Sequence, residues 1–404
     1  MRIIAAQIGS RRNYSVPLAF ARARVLERFY TDFATTPAWA QLLEPLARRA
    51  SLPALIKKAI RRRLPNELTS RTTTFPGVSL RHEIRRRYAQ NASTASLMFS
   101  TELGAAMARE GLGRATHVYS MLVECWPLMK AARERGVITV AEVYIDLRSN
   151  NIVREEAELF PGWSEFEPPA NSADDPHPSG DPLFDHADYF IVPAEQVAQD
   201  LILRFEIPRN RVSVVPYPVP DPGLLRFHNS PQTGRVLFGG SATLRKGIHY
   251  LAMAASHLPA PKYEFRIAGD SSDKVRANPL ARRLTFLGRI PWSNMAREMQ
   301  WADVMVLPTL AEGSAQVILE AMSVGVPVIT TEAAGSPITH MEDGILASPR
   351  DSRALAAAIE EVVTNRTLRR RLSEAAKETA STFTLEKYSR DLMNAATTWR
   401  PLSN

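Results

Sequence analysis

Two doubly wound α/β domains are what this 404-residue chain predicts, on three observations. Short apolar runs alternate with stretches of helical spacing along most of its length, the pattern of parallel sheets covered by helices. The length suffices for two or three cores, and 45% hydrophobic content supplies them. Near the middle, Pro216-Tyr-Pro-Val-Pro-Asp-Pro-Gly223 sets four prolines in eight residues. That run is too stiff and too poor in donors for the interior of a strand or helix, and it marks a crossing between domains.

In the first half, Arg2 to Ile8 reads as the opening strand. It is too short, and too soon followed by Arg11 and Arg12, for a signal peptide. Further strands are expected at Ala115 to Met121, Val137 to Val143, Tyr189 to Val192 and Val212 to Val215. Asn150 to Asp185 carries Pro161-Gly-Trp163, Pro168-Pro169 and a low-complexity run from Ala170 to Gly180, so it reads as a surface excursion around Trp163 followed by a loop. Asp174 and Asp175 in that setting are solvated loop acids rather than metal ligands. The second half repeats the alternation, with strands near Arg235 to Phe238, Glu264 to Ala268, Leu284 to Phe286, Val304 to Val306, Val328 to Thr330 and Ile345 to Ala347. Helices follow over Ser352 to Thr364, Thr367 to Thr379 and Leu385 to Trp399. The expected division is 1–218, 219–384 and a last helical segment, 385–404.

Cys125 is the only cysteine, so there is no disulfide framework and a reducing, cytoplasmic setting is expected. No apolar run approaches the ~20 residues of a membrane span. Charge is uneven: between Leu46 and Gln90 stand twelve Lys or Arg against Glu67 and Glu83, a net of +10 where the whole chain has +8. Within it, Leu52, Leu55, Ile56, Ala59, Ile60 and Leu64 recur at helical spacing beside Lys57, Lys58, Arg61, Arg62 and Arg63. Such a helix suits peripheral contact with an anionic membrane face or an anionic acceptor, or it packs its stripe on the first sheet. Nucleic acid is not expected, because no finger, helix-turn-helix or aromatic-interleaved signature accompanies the charge.

The chemistry concentrates in Glu312-Gly-Ser-Ala-Gln-Val-Ile-Leu-Glu320. The run Asp303 to Leu307, closed by Pro308, reads as a buried strand, and Ala315 to Met322 as a helix begun by Gly313 and Ser314. Eight residues at about 100° each leave the two carboxylates roughly 80° apart around the axis, so both can border one cleft. A diphosphate at that helix start would meet unpaired N–H groups and the positive end of the macrodipole, and carboxylates accept the paired hydroxyls of a hexose and a ribose. The bland alternative is an amphipathic helix with two solvated glutamates. Leu244-Arg-Lys-Gly247, after a strand and the Gly239-Gly240 turn, can deliver two cations to the same cleft.

Taken with their flanks, these pieces resemble the E-x7-E signature of retaining glycosyltransferases of family 4. The order matches over roughly 185–400: Val236-Leu-Phe-Gly-Gly240, Leu244-Arg-Lys-Gly247, Phe265-Arg-Ile-Ala-Gly269, Phe286-Leu-Gly288, the E-x7-E block, Gly335-Ser-Pro-Ile and Asp343-Gly344. The resemblance implies a GT-B fold, two Rossmann-like domains facing each other across a cleft, with a last helix crossing back to the first. It implies no cofactor or metal and a nucleoside-diphosphate-sugar donor of UDP or GDP type. Arg245 and Lys246 would bind the diphosphate, Glu312 the sugar and Glu320 the ribose. Gly240, Gly313 and the N–H groups of Ser314, Ala315 and Gln316 would lie at the sugar and phosphates, and Gly288 with Arg289 at the base. The acceptor, lipid-linked or saccharide, stays open.

Departures from the family pattern are as informative. The commoner text after the first Glu is Gly-Phe-Gly, whereas this chain has Gly313-Ser-Ala-Gln316. Gly9-Ser-Arg-Arg-Asn13 lacks the usual paired glycines. No histidine stands where the family places one; Thr139 to Asp146 offers Glu142, Tyr144 and Asp146 instead, with Glu142 the candidate near the reacting centre, and His117 reads as structural. Two other readings are a nucleotide-sugar epimerase of the same architecture and a degenerate, non-catalytic transferase acting as a membrane-surface partner.

Overall fold

The computed structural model describes residues 1–36, 62–88, 92–122, 124–163, 182–219 and 234–402. It contains two parallel sheets. The first has seven strands in the order β3-β2-β1-β4-β5-β6-β7: β1 (Ile3–Gln7), β2 (Leu26–Thr31), β3 (Thr72–Thr74), β4 (His117–Met121), β5 (Ile138–Glu142), β6 (Tyr189–Val192) and β7 (Val212–Val214). The second has six, ordered β10-β9-β8-β11-β12-β13: β8 (Arg235–Gly239), β9 (Glu264–Ala268), β10 (Leu284–Gly288), β11 (Val304–Leu307), β12 (Val328–Thr330) and β13 (Ile345–Leu346). Both orders reverse direction once, between β1 and β4 and between β8 and β11. In open α/β sheets the crevice beyond the carboxyl ends of the strands at such a reversal is where ligands bind. The expected doubly wound architecture is thus present twice.

The inner strands are mostly apolar runs because helices cover both faces of each sheet. Val304, Met305, Val306 and Leu307 are fully buried, as are Val236, Leu237 and Phe238 of the neighbouring β8. β2 and β3 are additions to the expected strands.

The halves interleave. The helix Leu385–Ala396 lies on the first domain, where Tyr388, Leu392 and Trp399 join Phe20, Tyr119 and Tyr217 in one core. Its approach runs beside the proline crossing, and Val219 N–H donates to Phe383 O at 2.8 Å. Of the proline run, residues 220–223 lie outside the described residues.

A second interleaving corrects the irregular reading of Asn150 to Asp185. Ser149–Leu159 is a helix, and Trp163 together with Ile152, Ala157 and Phe160 packs into the core of the second sheet, not the first. Its Glu156 carboxylate, wholly buried, accepts from His249 Nε2 (2.8 Å), Tyr250 OH (2.9 Å) and Arg350 Nε (2.5 Å). Burial opposes ionisation, yet these donors hold Glu156 below the ordinary carboxylate value, while burial lowers His249 and keeps its ring neutral. A boundary at 218 therefore leaves this segment on the wrong side. Residues 164–181, with Asp174 and Asp175, lie outside the described residues.

Most of the basic amphipathic helix, 52–61, is likewise outside them. The cations that follow are mostly engaged: Arg62 with Asp32, Arg81 and Arg85 with Glu102, Arg86 with Glu83, and Arg71 with Leu26 O. No helix of the described residues is long and apolar enough to cross a membrane.

Candidate functional site

At the β8/β11 reversal a cavity of about 400 Å3 opens, lined by Gly240, Lys246, Glu312, Ser314, Ala315, Gln316 and Glu320 among others. Three segments build it. The turn after β8 leads into Leu244–Lys246, whose Arg245 carbonyl accepts from Leu310 N–H (2.8 Å) and Thr309 Oγ1 (3.1 Å), tying the cation loop to the loop after β11. That second loop is pinned from β12 by Thr330 Oγ1 on Leu307 O (2.7 Å) and Thr331 Oγ1 on Thr309 O (2.5 Å). The third segment is the helix Gln316–Ser323, which buries Ile318, Leu319, Ala321 and Met322 and turns Gln316 and Glu320 to the cavity.

The electrostatics are specific. Arg245 Nη1 and Lys246 Nζ both meet Glu312 Oε1, at 2.7 and 2.6 Å, and Arg245 also donates to Ala311 O (2.7 Å). Two cations thus share one carboxylate. Glu320 stands without such compensation, and burial pushes its carboxyl up to about 7. Gly313 is where the first domain touches the site: a Cβ there would stand 2.0 Å from Tyr144 O. Only a residue without a side chain fits so close an approach.

Across the cleft, the loop from Gly9 to Tyr14 hangs between buried carboxylates. Ile8 N–H donates to Glu124 (2.7 Å) and Gly9 N–H to Asp32 (2.8 Å). Arg11 grips Glu124 Oε1 through Nε and Nη2 (2.9 and 2.6 Å) and lies over the Tyr144 ring at 4.5 Å. Arg12 stacks 3.8 Å from the Tyr217 ring centroid and pairs with Glu142. Arg12, Asn13 and Tyr14 hold φ of 46°, 51° and 63°, a left-handed run costing on the order of 1–3 kcal/mol per residue.

The sequence-predicted residues distribute unevenly. Arg245, Lys246, Glu312, Glu320, Gly240, Ser314 and Gln316 come together. Ala315 lines the cavity, but its N–H is already given to Ala334 O (3.0 Å). Gly288 forms the turn, its carbonyl accepting from Gly269 N–H (3.0 Å), and Arg289 rather than Gly288 faces the cavity. Glu142 is fully buried, its oxygens taken by Arg12, Tyr119 OH (2.6 Å) and Tyr217 OH (2.7 Å), so it acts on the cleft only through Arg12. His117 is structural, its Nε2 3.4 Å from Trp399 O. Asp32, Glu124 and Arg12 were not singled out from the sequence. The signal was available, since both acids sit just past the carboxyl ends of β2 and β4, the edge that builds the site.

The fold is that of the GT-B glycosyltransferases, and residues 233–365 match the family model described as glycosyl transferases group 1. The chain is 32% identical over 150 residues to the lipopolysaccharide core biosynthesis glycosyltransferase LpsE of Rhizobium meliloti, covering 36% of this chain and 44% of that protein. It is 28% identical over 160 residues to glycogen synthase of Mycobacterium tuberculosis, covering 37% and 39%. The match thus spans less than half the length of these relatives. Among solved structures, Anabaena Alr3699/HepE in complex with UDP and glucose superposes with a TM-score of 0.62 at 16% identity, covering 98% of this chain and 100% of that one.

Proposed function

We propose that the protein is a retaining glycosyltransferase of family 4 type, moving a hexose from a nucleoside diphosphate of UDP or GDP type to an acceptor without a metal ion. The convergence of Arg245 and Lys246 on one oxygen of Glu312, beside the uncompensated Glu320, carries this reading. Glu312 pairs with both cations but balances only one of their two charges, leaving the pair one positive charge in excess. An arriving diphosphate offers them more negative charge, so it takes the two cations and frees Glu312 to accept sugar hydroxyls. Arg245 and Lys246 then stabilise the charge that grows as the glycosidic bond to phosphate breaks, the task a divalent ion performs elsewhere. Glu320 accepts from the ribose, with the N–H groups of Ser314 and Gln316 at the phosphates and Arg289 at the base. Retention follows if the departing phosphate takes the acceptor's proton on the same face, which requires no protein base. Glu142 then serves as a positioning residue for Arg12 at the acceptor side, and the acceptor is a saccharide or lipid-linked molecule.

Steady-state turnover with UDP- and GDP-hexoses is the test. Lys246→Ala and Arg245→Ala are each expected to lower kcat by about 10²-fold, with full wild-type activity in a chelator. Wild-type turnover in both variants, or a strict Mg²⁺ requirement, overturns the assignment.

A further inference from the structure

A second cavity, of about 670 Å3, adjoins the donor cavity and shares Ser241 and Asp270 with it. One wall is the pair of loops after β8 and β9, held side by side where Ala242 N–H donates to Asp270 O (2.7 Å) and Ala242 bridges to Ser271. Side chains alternate along such an extended pair. Ala242 is buried, and Ser241 and Thr243 on either side of it are exposed and line the cavity. The facing wall is the start of the helix Ser149–Leu159, where Asn150 and Val153, one turn apart, line the cavity together. The charged side chains on these walls are turned elsewhere: Arg245 donates to Glu312 and to Ala311 O, both at 2.7 Å, and Asp270 pairs with Arg289 at 2.8 Å. What remains is neutral. The side chains of Ser241, Thr243 and Asn150 form no hydrogen bond among the described residues, and Ser272 Oγ, which accepts from Val275 N–H (3.2 Å), keeps its O–H to donate.

We infer that this cavity binds a neutral saccharide unit. Each hydroxyl of a sugar ring both donates and accepts, as do the hydroxyls and the amide on these walls, while Val153 and Val275 offer apolar surface to the C–H face of the ring. An anion would find no cation aimed at it here, and a bare lipid chain would cover polar groups without pairing them. The volume lies within the range of small-molecule sites. Binding itself does not depend on the transferase reading, but the role of the bound unit does: on that reading it is a sugar of the acceptor, held beside the loop that carries Arg245 and Lys246. Glu312, placed at the donor sugar, does not line this cavity, so the unit held here is not the one that reacts. The acceptor is then a saccharide of more than one unit, free or carried on a lipid.

The probes are methyl α-glucoside, methyl α-galactoside and methyl α-mannoside, observed at millimolar concentration by saturation-transfer NMR with UDP in excess to fill the donor cavity. Wild type is expected to bind at least one of them with UDP present. Asn150→Trp and Thr243→Trp, which fill the cavity from opposite walls at exposed positions, are each expected to bind it tenfold or more weakly. Melting curves matching wild type establish that they fold, and Thr243→Val, which removes the hydroxyl and keeps the shape, is expected to weaken binding severalfold without that concern. UDP is titrated separately by calorimetry, so a wild type that binds no UDP counts against the transferase reading alone, and the hexosides are then measured without it. A wild type that binds none of the three hexosides overturns the inference. So does a hexoside signal that UDP abolishes, or one that all three variants leave at the wild-type level.

Discussion

Glu320 provides a quantitative test of the donor site through its proton. On the proposed reading ribose hydroxyls donate to its carboxylate, so nucleotide would bind the ionised form, and the free protein would have to release a proton wherever Glu320 is still protonated. Burial raises that carboxyl to about 7, so the ionised fraction rises from about one tenth at pH 6 to about nine tenths at pH 8. The sign is fixed: affinity for UDP grows as pH rises through 7, by about tenfold between pH 6 and pH 8 from this group alone. Glu320→Gln keeps an acceptor oxygen but loses the charge, which should cost about 1 kcal/mol at pH 8 and remove this part of the pH dependence. Calorimetric titration of wild type and Glu320→Gln at matched pH values separates Glu320 from the nucleotide's own phosphate ionisation, which both proteins experience alike. Identical pH profiles for the two proteins would refute the ribose assignment.

Gly313→Ala should push the loop of Glu312 away from Tyr144, because the added methyl would stand 2.0 Å from that carbonyl oxygen; a displacement near 1 Å lowers kcat by up to about 10²-fold, and wild-type turnover would contradict the contact. Glu156→Ala leaves buried partners uncompensated and should cost about 3–5 kcal/mol in urea unfolding. By contrast, Glu155→Ala, which removes an exposed partner of Arg350, should cost less than about 1 kcal/mol, and equal losses would show that the buried network is not what holds the segment. Replacing Lys57, Lys58, Arg61 and Arg63 by Gln tests membrane contact, at ~1 kcal/mol per cation near an anionic surface; Arg62 is spared because Asp32 holds it. Co-sedimentation with anionic vesicles at low salt should fall in the variant, whereas a wild type that stays in the supernatant would end the membrane reading.

What the sequence could announce depended on how locally each feature is encoded. Strands such as Val304–Leu307 read directly because burial on both faces makes them continuous apolar runs. Thr72–Thr74 escaped because it is a short edge strand of polar residues. The helix Ser149–Leu159 was hidden because its deepest residue is a glutamate, stabilised by donors that lie some ninety or more residues away. The donor cavity was legible for the opposite reason: Arg245 with Lys246, and Glu312 with Glu320, sit in compact motifs whose spacing already implies one face. The pairs facing them, Arg11 with Glu124 and Arg12 with Glu142, join positions 113 and 130 residues apart, and nothing in a linear reading brings such partners together.

The segment Ser149–Trp163 has a consequence for anyone who would cut or recombine this chain. The half that carries the second sheet is not a contiguous stretch of polypeptide, because one of its packing surfaces is supplied by residues encoded well before the proline crossing. A fragment starting at 234 would leave the side chains of His249 and Tyr250 facing water with no carboxylate to receive them, and would lack the apolar cover of Phe160 and Trp163. A chimera that exchanges the halves carrying the first sheet between relatives would import a foreign copy of this helix against the resident Arg350. The workable graft is a three-piece one, in which 149–163 travels with the half that carries the second sheet as an insert returned to its own partner.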